Sequence, residues 1–241
     1  MLLEARKLPW LERAYSAYGR RLLRRAFARV WLGGVPWPAG DGPALAYLNH
    51  PAWWDPILAV FLSRHVARGD GYGPMDGVQL QRFPFFRRVG CFGTTTDGVD
   101  DARALALYAA RLLHGGPRRT LWIFAQGGLE PARAPLRFRS GLARLSRAVP
   151  DAPLIPVAVR YEQRDLQRPE IFVRIGEPSR AAARPESPAA HTRRLERRLA
   201  DELARLDADL ATSDLHDYRV VLGGRRSVSD RYEAFASLVR R

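Results

Sequence analysis

Apolar residues in the first part of the chain recur at helical spacing. Leu11, Tyr15, Tyr18, Leu22, Leu23, Ala26, Phe27, Val30 and Trp31 form one stripe over residues 10–33, with Arg13, Arg20, Arg21, Arg24, Arg25 and Arg29 between them. The pattern predicts an amphipathic helix or two short ones. Such a stripe suits either packing on the protein body or an interfacial position, where arginine stems snorkel while the aromatics enter the lipid boundary. Gly33-Gly34, Pro36, Pro38 and Gly40-Asp41-Gly42-Pro43 end the segment. Beyond them, short apolar runs at 44–48, 70–74, 89–92, 120–125, 154–161 and 171–175 read as strands, with 120–125 the clearest central one. Helical patterns fall at 54–67, 100–114, 136–149 and 187–209, with a helical or turn segment at 78–88 and a last short helix at 228–240. This alternation predicts an α/β sandwich, a single domain with a mostly parallel or mixed central sheet. Its expected limits are an N-terminal amphipathic helical segment at 1–34, an α/β body at 35–214 and a C-terminal helical tail at 215–241.

Composition narrows the class. A chain of 241 residues, 46% hydrophobic, is long enough for one sizeable core. The single cysteine, Cys91, excludes an intrachain disulfide framework and a cysteine-rich zinc site, and a buried structural thiol is expected there. The formal net charge of +14, supplied almost entirely by arginine, favours phosphate-bearing or anionic partners. No zinc finger, RNP-type strand or helix-turn-helix pattern is present, so no nucleic-acid partner is expected. No apolar run approaches the roughly 20 residues needed to cross a bilayer. The opening MLLEARKLPWLERAY lacks the apolar core and cleavage site of a signal peptide. The expected location is therefore the cytoplasmic face of the cell membrane, as a peripheral protein on an anionic surface.

The chemistry concentrates in Asn49-His50-Pro51-Ala52-Trp53-Trp54-Asp55-Pro56, at the junction of a short apolar strand and a helix. A neutral imidazole takes a proton from a hydroxyl group when its other ring nitrogen is held by an acceptor. His50 and Asp55 form such a pair if the turn folds the carboxylate back beneath the ring. The alternative for Asp55 is a helix cap beside an unrelated histidine. Trp53 and Trp54, and Phe85 in the Phe83-Pro84-Phe85-Phe86 run, are candidates for an acyl groove or an interfacial contact, with core packing as the alternative. His65, His114, His191 and His216 are scattered without ligand partners, and no metal is expected.

Asn49-His50-x4-Asp55 resembles the first conserved block of the glycerolipid (PlsC-like) acyltransferase superfamily. Phe124-Ala125-Gln126-Gly127-Gly128-Leu129-Glu130 resembles its third block, Phe138-Arg139-Ser140-Gly141 its Phe-Lys-x-Gly segment, and Leu154-Ile155-Pro156-Val157-Ala158-Val159 its fourth. Order and spacing agree over roughly residues 43–160. The resemblance implies that His50 is the general base and that Asp55 orients it. It also implies an acyl thioester of coenzyme A or acyl carrier protein as co-substrate, with no further cofactor. Asn49, Gln126, Gly127, Gly128, Arg137 and Arg139 become candidates for acceptor binding or for the oxyanion, with the backbone of Gly127 and Gly128 foremost. A purely structural turn is the alternative for those two glycines.

The departures bear on substrate choice. Gln126 stands where the family has glutamate, and Gly128 and Leu129 where it has threonine and arginine. The second-block counterpart, Gly90 to Asp97, has no arginine, and Asp97 near a phosphate would be unfavourable. Arg87, Arg88, Arg133, Arg137 and Arg139 are the substitutes at hand. The expected activity is transfer of a fatty acyl group to a hydroxyl of an amphiphilic lipid acceptor, a sugar- or carotenoid-glycoside-bearing one included. The alternatives are a 1-acyl-glycerol-3-phosphate acyltransferase of phospholipid biosynthesis with substituted phosphate contacts, and a non-catalytic lipid- or membrane-binding protein.

Overall fold

The computed structural model of the protein describes residues 1–96, 98–180 and 186–225. Its strands are β1 (Leu2–Leu3), β2 (Arg29–Gly34), β3 (Ala44–Leu48), β4 (Asp70–Pro74), β5 (Cys91–Thr94), β6 (Arg119–Phe124), β7 (Leu154–Glu162), β8 (Glu170–Ile175) and β9 (Arg219–Gly223). Its helices are α1 (Pro9–Ala26), α2 (Asp55–His65), α3 (Gly77–Arg82), α4 (Phe85–Arg88), α5 (Val99–His114), α6 (Gly141–Ala148) and α7 (Pro188–Thr212). The strands form one nine-stranded mixed sheet in the order β1-β5-β4-β6-β3-β7-β8-β2-β9. From β5 to β7 neighbouring strands run parallel. β8 turns back antiparallel to β7, β2 runs parallel to β8, and β1 and β9 close the edges antiparallel.

The continuous apolar run of β3 follows from burial on both faces. Leu45 and Tyr47 pack with Leu113 of α5, Leu145 of α6 and Leu199 of α7. Ala46 and Leu48 pack on the opposite face with Leu23 of α1 and with Leu58 and Phe61 of α2. On α7 the buried leucines 195, 199, 203 and 206 recur every three or four residues, which keeps them on one face of the helix. α1 and α2 lie antiparallel, for Glu12 pairs with Arg64 at 3.5 Å while Gly19 faces Ile57. Small buried residues, Ser16 and Gly19, let the two helices approach closely. Cys91 is a free thiol whose pKa burial pushes up to about 12, in keeping with a structural side chain.

Parallel pairing sets the C-terminal ends of β3 and β6 side by side, with Leu48 opposite Phe124. The chain segments leaving both strands therefore emerge together, where open α/β sheets generally carry their ligands.

Three segments differ from the sequence reading, and the helical or turn stretch at 78–88 takes a definite form. The expected helix over 10–33 ends at Ala26, and Arg29–Gly34 is a strand. Val30 and Leu32 alternate inward there, and pairing to both β8 and β9 outweighs the helical spacing. The stretch 78–88 divides into two short helices because Pro84 disfavours helical backbone at Phe83, which sits at φ −127°, ψ 73°. The helix expected from 136 starts at Gly141. In the expected C-terminal helical tail, Arg219–Gly223 is the edge strand β9, and the helix read at 228–240 lies outside the described residues.

The α1–α2 contact is tight enough to test. A Cβ added at Gly19 would lie 3.0 Å from Ile57 Cγ2. Gly19→Leu is expected to destabilise the fold by about 1–3 kcal/mol through overpacking, despite the helix propensity gained. A urea denaturation midpoint at or above that of the parent would show that the α1–α2 contact is loose.

Candidate active site

His50 follows the end of β3, and Asp55 opens α2 after a turn closed by the Asp55 N–H donating to the Ala52 carbonyl at 3.1 Å. Pro56, next in the helix, has φ pre-set for a first turn. The turn folds the carboxylate back beneath the ring, and His50 Nδ1 lies 2.7 Å from Asp55 Oδ2. Asp55 is fully buried, with its side chain at 0% exposure. A buried carboxylate needs donors, and Asp55 has two more. The Ala52 N–H donates to Oδ2 at 2.9 Å, and the Tyr161 hydroxyl donates to Oδ1 at 2.6 Å. Burial, and then the neighbouring Asp55 charge, push the Tyr161 phenol well above its ordinary pKa, so it stays a neutral donor.

The imidazole is held from further directions. Phe124 stacks on it, with centroids 4.2 Å apart and planes 18° from parallel. Gln126 Oε1 accepts the His50 backbone N–H at 3.0 Å, and the Glu130 N–H donates to the His50 carbonyl at 3.0 Å. The loop after β6 thus grips the catalytic-type histidine at both backbone polar groups. With Nδ1–H directed at Asp55, the tautomer leaves the Nε2 lone pair to act as a base. Nε2 makes no hydrogen bond among the described residues, and the side chain keeps 14% exposure.

The other candidates divide. Asn49, expected to contact substrate, is buried and commits its carboxamide to β7, accepting from the Val159 N–H at 2.9 Å and donating to the Val159 carbonyl at 3.0 Å. It braces the strand end. Gln126 also acts first as a brace, in a role that either glutamate or glutamine can fill as an acceptor. The Gly127 N–H, expected to face an oxyanion, donates to the Phe124 carbonyl at 2.9 Å. The structural turn is the reading that fits Gly127, at φ +77°, where an added Cβ would strike Arg139 Cδ at 2.6 Å. Gly128 is open to solvent, and its amide makes no hydrogen bond among the described residues.

Arg139 lies beside the Gly127 turn, whereas Arg137 is exposed and no hydrogen bond joins it to the dyad. Trp54 meets Phe27 edge-on at 5.2 Å, and Phe27 meets Tyr161 at 5.6 Å, so an aromatic wall covers the buried carboxylate. Trp53 projects outward at 66% exposure. Phe85 sits apart from this wall, against Tyr15 of α1 at 5.4 Å. Arg87 binds the Glu4 carbonyl, and Arg133 is paired with Glu162 and Asp207. Asp97 lies outside the described residues.

Sequence reasoning missed Tyr161 and the stacking role of Phe124. Tyr161 is 106 positions from Asp55 in the chain, and only the adjacency of β3 and β7 brings the two together. Removing its hydroxyl leaves a buried carboxylate oxygen without a partner. Tyr161→Phe is expected to lower stability by about 1–3 kcal/mol in chemical denaturation. An unchanged midpoint would mean that water or a shifted side chain replaces the bond.

The sequence profile of the acyltransferase family matches residues 19–160, more than half of the chain. Among curated proteins none matches significantly. Among solved structures the fold is similar to that of the 1-acyl-sn-glycerophosphate (LPA) acyltransferase PlsC from Thermotoga maritima. The TM-score is 0.59 at 17% identity, over 82% of this chain and 80% of that one. The matched span holds His50, Asp55, Phe124 and Gln126, the residues that build the dyad and its clamp, and this chain belongs to the acyltransferase family.

Proposed function

We propose that this protein is an O-acyltransferase working at a membrane surface. It moves a fatty acyl group from a coenzyme A or carrier-protein thioester to a hydroxyl of an amphiphilic acceptor. The observation that carries this reading is the 2.7 Å contact of His50 Nδ1 with the buried Asp55, which leaves Nε2 unengaged. Nε2 takes the acceptor hydroxyl proton as the oxygen attacks the thioester carbonyl. An O–C bond forms and the carbonyl becomes a tetrahedral oxyanion. Collapse breaks the C–S bond, the imidazolium returns its proton to the leaving sulfur, and an ester and a free thiol result. Asp55 stabilises the transient imidazolium, and Tyr161 and the Ala52 N–H keep the carboxylate aimed. The Gly128 amide is the remaining backbone candidate for the oxyanion.

Membrane attachment draws on α1. Trp10 and Tyr18 are exposed there among arginines, and Trp53 is exposed beside the dyad. Aromatic side chains with snorkelling arginines suit an anionic interface, and among the described residues no helix is long and apolar enough to cross a membrane. A phosphate-bearing acceptor, as in lysophosphatidic acid acylation, is the second reading. It is favoured by Arg139, exposed beside the Gly127 turn and in no ion pair among the described residues.

The His50→Ala variant is expected to lose about 10²–10⁴-fold in turnover, read as thiol release from acyl-coenzyme A together with labelled ester. Its thermal midpoint is expected to fall, because Asp55 Oδ2 loses a donor, so turnover is compared at a temperature where both proteins are folded. Equal turnover by the variant would exclude His50 as the base. Binding to vesicles containing anionic lipid is expected to weaken in Trp10→Ala/Tyr18→Ala and with rising salt. Salt-insensitive binding, equal in the double variant, would remove α1 from the membrane reading.

A further inference from the structure

The aromatic run Phe83-Pro84-Phe85-Phe86 takes no part in the dyad or its aromatic wall. It joins α3 to α4, at a corner of the molecule beside α1. Phe83 and Phe85 are 43% and 39% exposed, and Val78 on α3 is exposed with them. All five residues from Gln81 to Phe85 are exposed, so the corner protrudes. It is nevertheless held in place. Leu80, between Val78 and Phe83, is fully buried. The Arg6 N–H donates to the Arg87 carbonyl at 2.8 Å, the Leu8 N–H to the Arg88 carbonyl at 2.9 Å, and Arg87 Nε to the Glu4 carbonyl at 2.8 Å. Phe85 meets Phe86 at 5.8 Å and Tyr15 of α1 at 5.4 Å, both edge-on. α4 and the start of α1 therefore form one body, and the exposure of the phenylalanines is set by a fixed backbone. From Gly77 to Gly90 the chain carries Arg82, Arg87 and Arg88 and no acidic residue. Asp76, just before, caps α3 by accepting the Gln79 N–H at 2.9 Å. The Arg82 guanidinium lies 5.1 Å from the Phe83 ring centre, and the side chains of Arg82 and Arg88 are exposed and in no hydrogen bond or ion pair among the described residues.

From these contacts we infer that the α3–α4 corner is a second membrane contact. Phe83 and Phe85 enter the boundary between headgroups and acyl chains of an anionic bilayer, while Arg82 and Arg88 stay at the lipid phosphates. The inference rests on the membrane reading of α1 and extends it to a separate surface. Single exposed apolar residues are ordinary, but aromatic rings clustered with unpaired guanidinium groups call for a partner that answers both. An anionic interface does so, because the rings leave water while the arginine stems snorkel to negative headgroups. A fluid bilayer closes around a protruding corner, whereas a protein partner needs a matching hollow. Attachment through α1 alone would leave the molecule free to roll about the helix axis. A contact on α4, off that axis and fixed to the start of α1, sets the roll.

The purified full chain would be sedimented with vesicles of phosphatidylcholine mixed with phosphatidylglycerol, and with phosphatidylcholine alone. Phe83→Ser/Phe85→Ser is expected to lower the partition coefficient on the anionic vesicles ~10-fold. Arg82→Gln/Arg88→Gln should lower it at least ~5-fold there and leave binding to the neutral vesicles unchanged. Phe83→Ser alone keeps the Tyr15 contact and serves if the double phenylalanine variant does not fold. Insertion is read directly from Phe83→Cys carrying a nitrobenzoxadiazole label, which lipids with a quencher on the acyl chain should quench; the parent chain gives the background from Cys91. An unquenched label on bound protein would overturn the inference. So would binding equal to the parent in every α3–α4 variant together with loss in Trp10→Ala/Tyr18→Ala, which leaves α1 as the anchor. Loss of self-association in Phe83→Ser/Phe85→Ser with vesicle binding kept would overturn it too, and give the corner to a second copy of this chain. Failure of the parent protein to bind anionic vesicles would remove the membrane reading and this inference together, without touching the acyl-transfer chemistry that the His50→Ala comparison reads.

Discussion

The site depends on a carboxylate taken out of water. Asp55 is fully buried, and an ionised group in that position persists only where donors surround it. Its donors come from the turn after β3, from His50 itself and from Tyr161 on β7. Satisfying one buried charge therefore requires β3, β7 and the first turn of α2 to meet at one point. The same bonds fix which imidazole nitrogen carries the proton. Burial keeps the phenol of Tyr161 neutral, which in turn keeps it a donor.

Around this centre the protein uses neutral carboxamides where charge would compete. Asn49 ties the end of β3 to β7, and Gln126 ties the loop after β6 to the backbone of His50. Neither adds a second anion near Asp55. The chain as a whole carries a formal charge of +14, yet on the α7 side of β7 Arg160 is paired with Asp207 by two hydrogen bonds. The two scales have separate consequences. The overall charge acts over a Debye length of about 8–10 Å. The local pairing acts at contact distance and is set by the side chains that α7 brings to the end of β7.

Much of this was legible in the linear pattern, and the misreadings have identifiable causes. His50 and Asp55 are close in the chain, so a strand-to-helix turn brings them together whatever the rest of the fold does. β3 and β6 stand out because strands buried on both faces must be apolar without interruption. Residues 29–34 misled because Val30 and Trp31 continue the helical spacing from Phe27 while Val30 and Leu32 fit a strand alternation, and only β8 and β9, distant in sequence, decide between them. Gly127 drew attention as an oxyanion donor because glycine permits close approach. Glycine is required there for a different reason, a positive φ with Arg139 packed against it.

The sequence by itself determined the local chemistry: a histidine and an aspartate on one turn, the apolar runs that must become inner strands, and a basic helix with one apolar stripe. Those properties arise from neighbours within a few residues, and no partner from elsewhere in the chain is needed to read them. Only the tertiary structure decided that Tyr161 completes the carboxylate's shell, that Asn49 and Gln126 serve as clamps, and that Arg160 is held by Asp207. Each of these joins side chains to groups 47 to 110 positions away. Such contacts depend on strand order in the sheet, which periodicity along the chain does not encode.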